Sequence, residues 1–88
     1  MFLLETLGGE TMRLKLKEIR EKAGLTQEKI AKLIPIARTT YTNIELGEKN
    51  PSLRVAIKIK QILDYQDDDI FLIYNVPKSD IEHDKQVG

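Results

Sequence analysis

A chain of 88 residues with 41% hydrophobic and 32% charged side chains has enough apolar material for one small core, which excludes both a multidomain protein and wholesale disorder. The absence of cysteine excludes a disulfide framework and a thiolate metal site, and suits a reducing compartment, so the cytoplasm is expected. The net charge of zero is unevenly distributed: residues 12–63 carry twelve Lys or Arg against five Asp or Glu, and residues 64–88 carry seven acids against two lysines, so a polyanion would be drawn to the basic body.

The N-terminal eleven residues, "MFLLETLGGET", fit no helical pattern. They lack the basic start and long apolar run of a signal peptide, and no run of about 18 apolar residues occurs anywhere to span a membrane. Two readings stay open. The codons for "GGETM" can contain a bacterial ribosome-binding sequence, which would make Met12 the start and residues 1–11 a translated leader. Alternatively, "MFLLETL" is a strand or arm that covers the core or a partner.

From Leu16 onward, helical periodicity takes over. Leu16, Ile19 and Ala23 predict a first helix near 13–23, stopped by Gly24. Thr26 is a good N-cap for a second helix, with Glu28 in its first turn and Leu25 placed to pack on Ile30. Ile30, Ala31 and Ile34 form its inner stripe, and Pro35 ends it. A third helix runs over about 38–46, with Tyr41 and Ile44 inward and Gly47 as its stop. Ser52 caps a fourth helix in which Leu53, Ala56, Ile57, Ile59 and Leu63 are expected to line a buried face. Asp67 or Asp68 can cap a short fifth helix through Ile70 and Phe71. The expectation is an all-α, compact bundle of four to five helices over 12–76, with a flexible extension at 1–11 and a polar tail at 77–88.

Catalytic chemistry finds little support. The single histidine, His83, sits in the tail, and Ser52 and Ser79 have no histidine partner in the folded region. No Gly-rich phosphate loop occurs. The three acids Asp67, Asp68 and Asp69 point in different directions at a helix start, where capping is the natural role. No enzyme activity, metal or cofactor is expected.

The third helix is different. At 100° per residue, Arg38, Thr39, Thr42 and Asn43 lie opposite Tyr41 and Ile44, and two i,i+4 pairs make them one patch. Solubility alone would favour Lys and Glu there. Arg forks to guanine O6 and N7, Asn to adenine N6 and N7, and a Thr methyl packs on a thymine methyl, so the patch has the chemistry of base readout.

The ordered set Gly24-Leu25-Thr26-Gln27, Ala31, Ile36, Ile44-Glu45, Gly47 and Asn50-Pro51-Ser52, with its spacing, resembles the helix-turn-helix of phage Cro and repressor proteins, the Xre-type regulators. The resemblance covers roughly 13–71. It implies a lambda-repressor-like domain whose third helix enters the major groove. Arg38, Thr39 and Asn43 would then read bases, with Thr42 at the edge. Gln27 would hold a phosphate and buttress that helix, Lys49 and Asn50 would grip neighbouring phosphates, and Lys32 and Arg54 are secondary phosphate candidates. Arg20 and Glu45 match a structural ion pair that bridges the first helix to the end of the third.

The sequence departs from the family pattern at four positions. Pro35 replaces the usual Gly and forbids a left-handed turn residue, so the angle between the second and third helices is open. Ala37 replaces the Ser or Thr cap of the third helix, Lys29 replaces the Glu of the capping box, and Leu46 is apolar where a polar residue is common. The apolar run "IFLIYNV", with Ile70, Phe71, Ile73 and Tyr74, either completes the monomer core or makes a dimer contact as a strand or short helix. The function implied is a DNA-binding regulator, a repressor of phage or mobile-element type, acting as a homodimer on palindromic double-stranded DNA. A protein-interaction module on the same fold, an antitoxin or anti-repressor, is the alternative. Neither reading involves a membrane or a small-molecule substrate.

Overall fold

The computed structural model describes residues 9–77, so the expected tail from 78 onward, with His83, and residues 1–8 of the extension lie outside the described residues. In chain order the elements are β1 (Gly9–Met12), α1 (Leu14–Lys22), α2 (Gln27–Leu33), α3 (Arg38–Glu45), α4 (Leu53–Leu63), a 3-10 turn (Asp68–Phe71) and β2 (Tyr74–Pro77). The helices surround a core of Leu16, Ile30, Ala31, Ile34, Tyr41, Ile44, Ile59, Leu63 and Ile70.

Local chemistry fixes the helix ends. Thr26 Oγ1 accepts a hydrogen bond from Lys29 N at 3.0 Å, and Ser52 Oγ accepts one from Val55 N at 3.2 Å. Gly24 and Gly47 stop α1 and α3 with φ of +76° and +80°. Each glycine and the residue after it donate back to the last turn: Gly24 N to Glu21 O and Leu25 N to Arg20 O, then Gly47 N to Ile44 O and Glu48 N to Asn43 O. Asp64 takes the same left-handed position after α4, with φ of 54°. Asp67 Oδ1 accepts from Asp68 N and so caps the 3-10 turn. The other two acids of that run make pairs: Asp68 with Lys60 at 2.6 Å, and Asp69 with Lys15 at 3.4 Å and with the Tyr65 hydroxyl at 2.8 Å.

Two departures from the sequence expectation stand out. The first is in α4, where Val55, Ile59, Ile62 and Leu63 face the core, while Leu53 and Ile57 are 77% and 48% exposed. The helix is apolar on two sides. Residues 55, 59, 62 and 63 form one stripe at 100° per residue, and 53 and 57 form another more than 100° away. Periodicity alone does not say which stripe is buried.

The second departure is a two-stranded antiparallel ribbon added to the bundle. β1 pairs with β2 in the register Gly9↔Pro77, Glu10↔Val76, Thr11↔Asn75 and Met12↔Tyr74. Residues 9–11 of the expected extension and Pro77 of the expected tail therefore take part in the ladder. "MFLLETL", the segment weighed as a strand, lies outside the described residues. Met12 is buried, and Thr11 Oγ1 donates to Leu46 O at 3.0 Å, which fastens the ribbon to the end of α3. No helix among the described residues is long and apolar enough to cross a membrane.

Candidate nucleic-acid interface

Helix α3 begins without a side-chain cap. Ala37 has the extended backbone of an N-cap, at φ −69° and ψ 147°, but no side-chain oxygen to accept a bond. The preceding turn contains a cis Ile34–Pro35 peptide and closes through Ile36 N donating to Ala31 O at 2.8 Å. The helix is held instead from its inner face. Tyr41, Ile44 and Glu45 are buried there.

Glu45 is the centre of that face. Its carboxylate accepts from Arg20 Nε at 2.6 Å, Arg20 Nη2 at 3.2 Å, Tyr41 Oη at 2.7 Å and Gln27 Nε2 at 3.0 Å. Arg20 also donates to Leu25 O at 2.7 Å. One carboxylate thereby ties α1, the first residue of α2 and the end of α3 together. Burial, reinforced by the Glu45 charge, pushes the Tyr41 hydroxyl far above its ordinary pKa, so it remains a donor. No buried side-chain polar atom among the described residues lacks a partner. This network fixes how α2 and α3 cross, the angle that Pro35 left open.

Gln27 reaches the network from both ends of its amide, since its Oε1 accepts from Thr42 Oγ1 at 3.0 Å. The Thr42 hydroxyl proton is thus directed inward, which leaves its methyl group as the outward chemistry. Gln27 keeps one amide hydrogen and its backbone N–H at the start of α2, where the helix dipole favours an anion.

The outer face is different in kind. Arg38 and Thr39 are exposed and Asn43 is half-buried. None of these three side chains has a hydrogen-bond or ion-pair partner among the described residues. Lys49 and Asn50, both exposed, follow α3 directly. Lys32 lies near the end of α2, 3.8 Å from Glu28 with both side chains largely exposed, a weak pair that leaves the ammonium available. Arg54, in the first turn of α4, borders a groove of about 460 Å³ with Ile34, Pro35, Ile36, Val55 and Lys58. Leu46 is half-buried. Of the four residues weighed for a dimer contact, Ile70 is fully buried in the monomer core and has no surface to offer, which corrects that expectation. Phe71 packs half-buried on the core, whereas Ile73 and Tyr74 are exposed.

Arg13 was not singled out by sequence reasoning, and it organises the loop after α3. Its backbone N–H donates to Glu45 O at 2.6 Å. Its buried guanidinium donates to Ile44 O, to Lys49 O at 3.1 Å, to Asn50 Oδ1 at 2.9 Å and to Phe71 O at 2.9 Å. With the Asn50 oxygen held by Arg13, the Asn50 amide nitrogen is the group left to donate outward. A lone Arg ahead of an amphipathic helix gives no signal in sequence, because its partners lie 31 to 58 residues away.

The arrangement is a rigid helix with an unpaired Arg, Thr and Asn face, flanked by Lys and amide donors on a braced loop. It can make directed hydrogen bonds to a polyanion with readable edges. Among the described residues no group of three or more His, Asp or Glu could hold a metal ion.

A family model described as helix-turn-helix matches residues 16–70. An uncharacterized HTH-type transcriptional regulator of Archaeoglobus fulgidus is 41% identical over 61 residues, which cover 69% of this chain and 87% of that protein. Proteins of the same description from Methanocaldococcus jannaschii, 41% identical over 61 residues, and Bacillus subtilis, 37% over 60, are covered over 92% and 91% of their lengths, with 69% and 68% of this chain.

Proposed function

The chain belongs to the helix-turn-helix family of Xre-type regulators, and on that premise we propose that it is a non-enzymatic, sequence-specific DNA-binding transcriptional regulator. Its finer role is a cytoplasmic repressor of phage or mobile-element type that binds a palindromic operator as a homodimer. The observation that carries the reading is the contrast between the two faces of α3. The inner polar groups, Glu45, Tyr41 and the Thr42 hydroxyl, are all bonded within the chain, while Arg38, Thr39 and Asn43 are left without partners on the outer one.

In this reading α3 lies in the major groove. Arg38 forks to a guanine, Asn43 pairs with an adenine edge, Thr39 takes a neighbouring base, and the Thr42 methyl contacts a thymine methyl. Lys49, the Asn50 amide and the N-terminus of α2 at Gln27 clamp the flanking phosphates. Lys32 and Arg54 add secondary phosphate contacts. One short helix discriminates by about 1–3 kcal/mol per good base contact, and pairing two copies on half-sites about 34 Å apart doubles that.

The test is binding to a pool of random-sequence duplexes across a salt series. If a dimer covers about ten phosphates, log K falls against log salt with a slope of roughly −9. Arg38→Ala should relax base preference at one position of the selected sites, and Lys49→Ala should weaken all sequences alike. No binding to any duplex, or a slope near zero, would replace this reading with that of an antitoxin-like or anti-repressor-like module that holds a protein partner. Identical behaviour of the two variants would remove the division into readers and clamps.

A further inference from the structure

We infer that the groove between the α2–α3 turn and α4 binds a small amphiphilic anion, an apolar body with a carboxylate or phosphate head, and that this occupant withdraws Arg54 from DNA. The binding goes beyond the reading above; only its effect on DNA rests on that reading.

The groove has a volume of about 460 Å³, inside the range of about 300–1,000 Å³ that small-molecule sites occupy. Two separate parts of the chain wall it: Ile34, Pro35 and Ile36 on one side, and Ser52, Arg54, Val55 and Lys58 on the other. The first wall is apolar in its side chains and gives no backbone donor at its centre. Pro35 has no N–H, and Ile36 N already donates to Ala31 O at 2.8 Å. Pro35 stands where the family pattern has Gly, so the ring on this wall is an addition of this chain. Pro35 is exposed, and Ile36 and Val55 are half-buried, so an apolar body lying between the walls would take further apolar surface out of water.

The second wall carries the charge. Arg54 and Lys58 are i,i+4 neighbours on α4, both exposed, and neither has a hydrogen-bond or ion-pair partner among the described residues. Ser52 Oγ accepts from Val55 N at 3.2 Å, which leaves its hydroxyl proton to donate outward. No acidic side chain among the described residues lines the groove. Two cations and a hydroxyl donor beside an apolar wall select both halves of the ligand. The head must accept hydrogen bonds and carry negative charge, and the body must be apolar. A bare phosphate would satisfy the cations and leave the apolar wall in water. A cationic amphiphile would meet two like charges.

The competing surface is the outer stripe of α4, where Leu53, Ile57 and Gln61 flank the same two cations. Every residue lining that surface belongs to α4, so it has no opposing wall, and an apolar body there would keep one side in water. The groove has both walls. Its occupant also acts on DNA through a named residue. Arg54 is among the phosphate contacts proposed above, and an anionic head beside Arg54 and Lys58 neutralises them where a backbone phosphate would otherwise be drawn.

The probes are sodium octanoate and octyl phosphate, each below its micellar concentration. Octylammonium, with the opposite head, and acetate, without the body, are the controls. In nuclear magnetic resonance titrations of the isotope-labelled full-length chain, octanoate and octyl phosphate should shift the Ile36 and Val55 amides saturably, and neither control should. The tighter of the two anions identifies the preferred head. Lys58→Glu should weaken octanoate binding by about tenfold or more, with an unchanged circular dichroism spectrum. Ile57→Ser, on the outer stripe, should leave it unchanged. Equal binding of octylammonium, a loss at Ile57→Ser rather than at Lys58→Glu, or no saturable shift with either anion would overturn the inference. Against acetate at the same ionic strength, octanoate should also weaken binding to random-sequence duplexes, by no more than Arg54→Ala does, and should have no further effect on that variant. Octanoate that binds without weakening duplex binding keeps the groove as a site and removes its link to DNA. A chain that binds octanoate but no duplex keeps the site and loses the DNA reading.

Discussion

Glu45 holds the domain together through four hydrogen bonds drawn from three helices, and the cost of losing it follows from what would remain. Glu45→Ala would leave the buried Arg20 guanidinium with only the half-exposed Glu21 carboxylate, 3.9 Å away, and the Tyr41 hydroxyl without an acceptor. Breaking a buried pair from one side costs about 3–5 kcal/mol, and for a domain of this size each kcal/mol lowers the melting midpoint by about 4–8 °C. Tyr41→Phe removes one donor and leaves Glu45 with Arg20 and Gln27, so its cost should be nearer 1 kcal/mol. Urea denaturation of both variants checks the order; equal costs would mean that the carboxylate is not the common anchor. The two helix-stopping glycines make a second contrast. Both have a positive φ, so alanine at either is disfavoured by about 1 kcal/mol. At Gly24 an added Cβ meets nothing within 4 Å, whereas at Gly47 it meets Ile73 Cγ2 at 3.3 Å and Thr11 Oγ1 at 3.4 Å. Gly47→Ala should therefore cost more than Gly24→Ala in the same denaturation assay. If the two cost the same, Ile73 does not pack firmly on the end of α3.

The four helices differ in how their starts are secured, and α3 is the weakest of those that follow a recognisable cap position. Thr26 and Ser52 each accept a backbone N–H at the start of α2 and α4, and Ala37 has the same extended backbone without an acceptor. Ala37→Ser should add the missing bond and raise stability by about 0.5–2 kcal/mol; no gain in the denaturation midpoint would show that the start of α3 is already fixed by the turn before it. The caps and stops were legible because they depend on single residues whose chemistry is local: Thr26, Ser52, Asp67, Gly24, Gly47 and Pro35. The buried side of α4 was not, since the helix has two apolar stripes and only the neighbours decide which one faces inward. The ribbon was not either. Its strands are four residues long, too short for a two-residue period to stand out, and they meet from opposite ends of the chain. Within the site, Arg38, Thr39, Thr42 and Asn43 share a face that follows from helix geometry. That Thr42 directs its hydroxyl to Gln27 depends on how α2 and α3 cross, which no local pattern encodes.

What unites the described residues is that the two strands of the ribbon meet behind α3, and Arg13 is where they do so. It stands between β1 and α1, donates to the last turn of α3 and to Phe71 just before β2, and holds the Lys49–Asn50 loop through one backbone and one side-chain oxygen. Burial lowers the pKa of its guanidinium from the usual value, yet an arginine remains charged at any ordinary pH. The bonds are therefore charge-assisted and directional, and no neutral side chain of similar volume can replace them. Arg13→Met fills much of the space, leaves the Ile44 carbonyl with the Gly47 N–H alone, and loses a bond to a charged donor, at a cost of about 1.5–3 kcal/mol. The functional consequence should be separable from the loss of stability. Arg38, Thr39 and Asn43 make no bond to Arg13, so base preference should survive, while the loop carrying Lys49 and Asn50 loses its brace. Measured well below its melting midpoint, Arg13→Met should bind every duplex in a random-sequence pool more weakly by a similar factor, select the same sites as the unaltered chain, and show a shallower salt slope. A changed site preference would mean that Arg13 sets the position of α3 itself, and unchanged affinity would mean that the loop holds its shape without it.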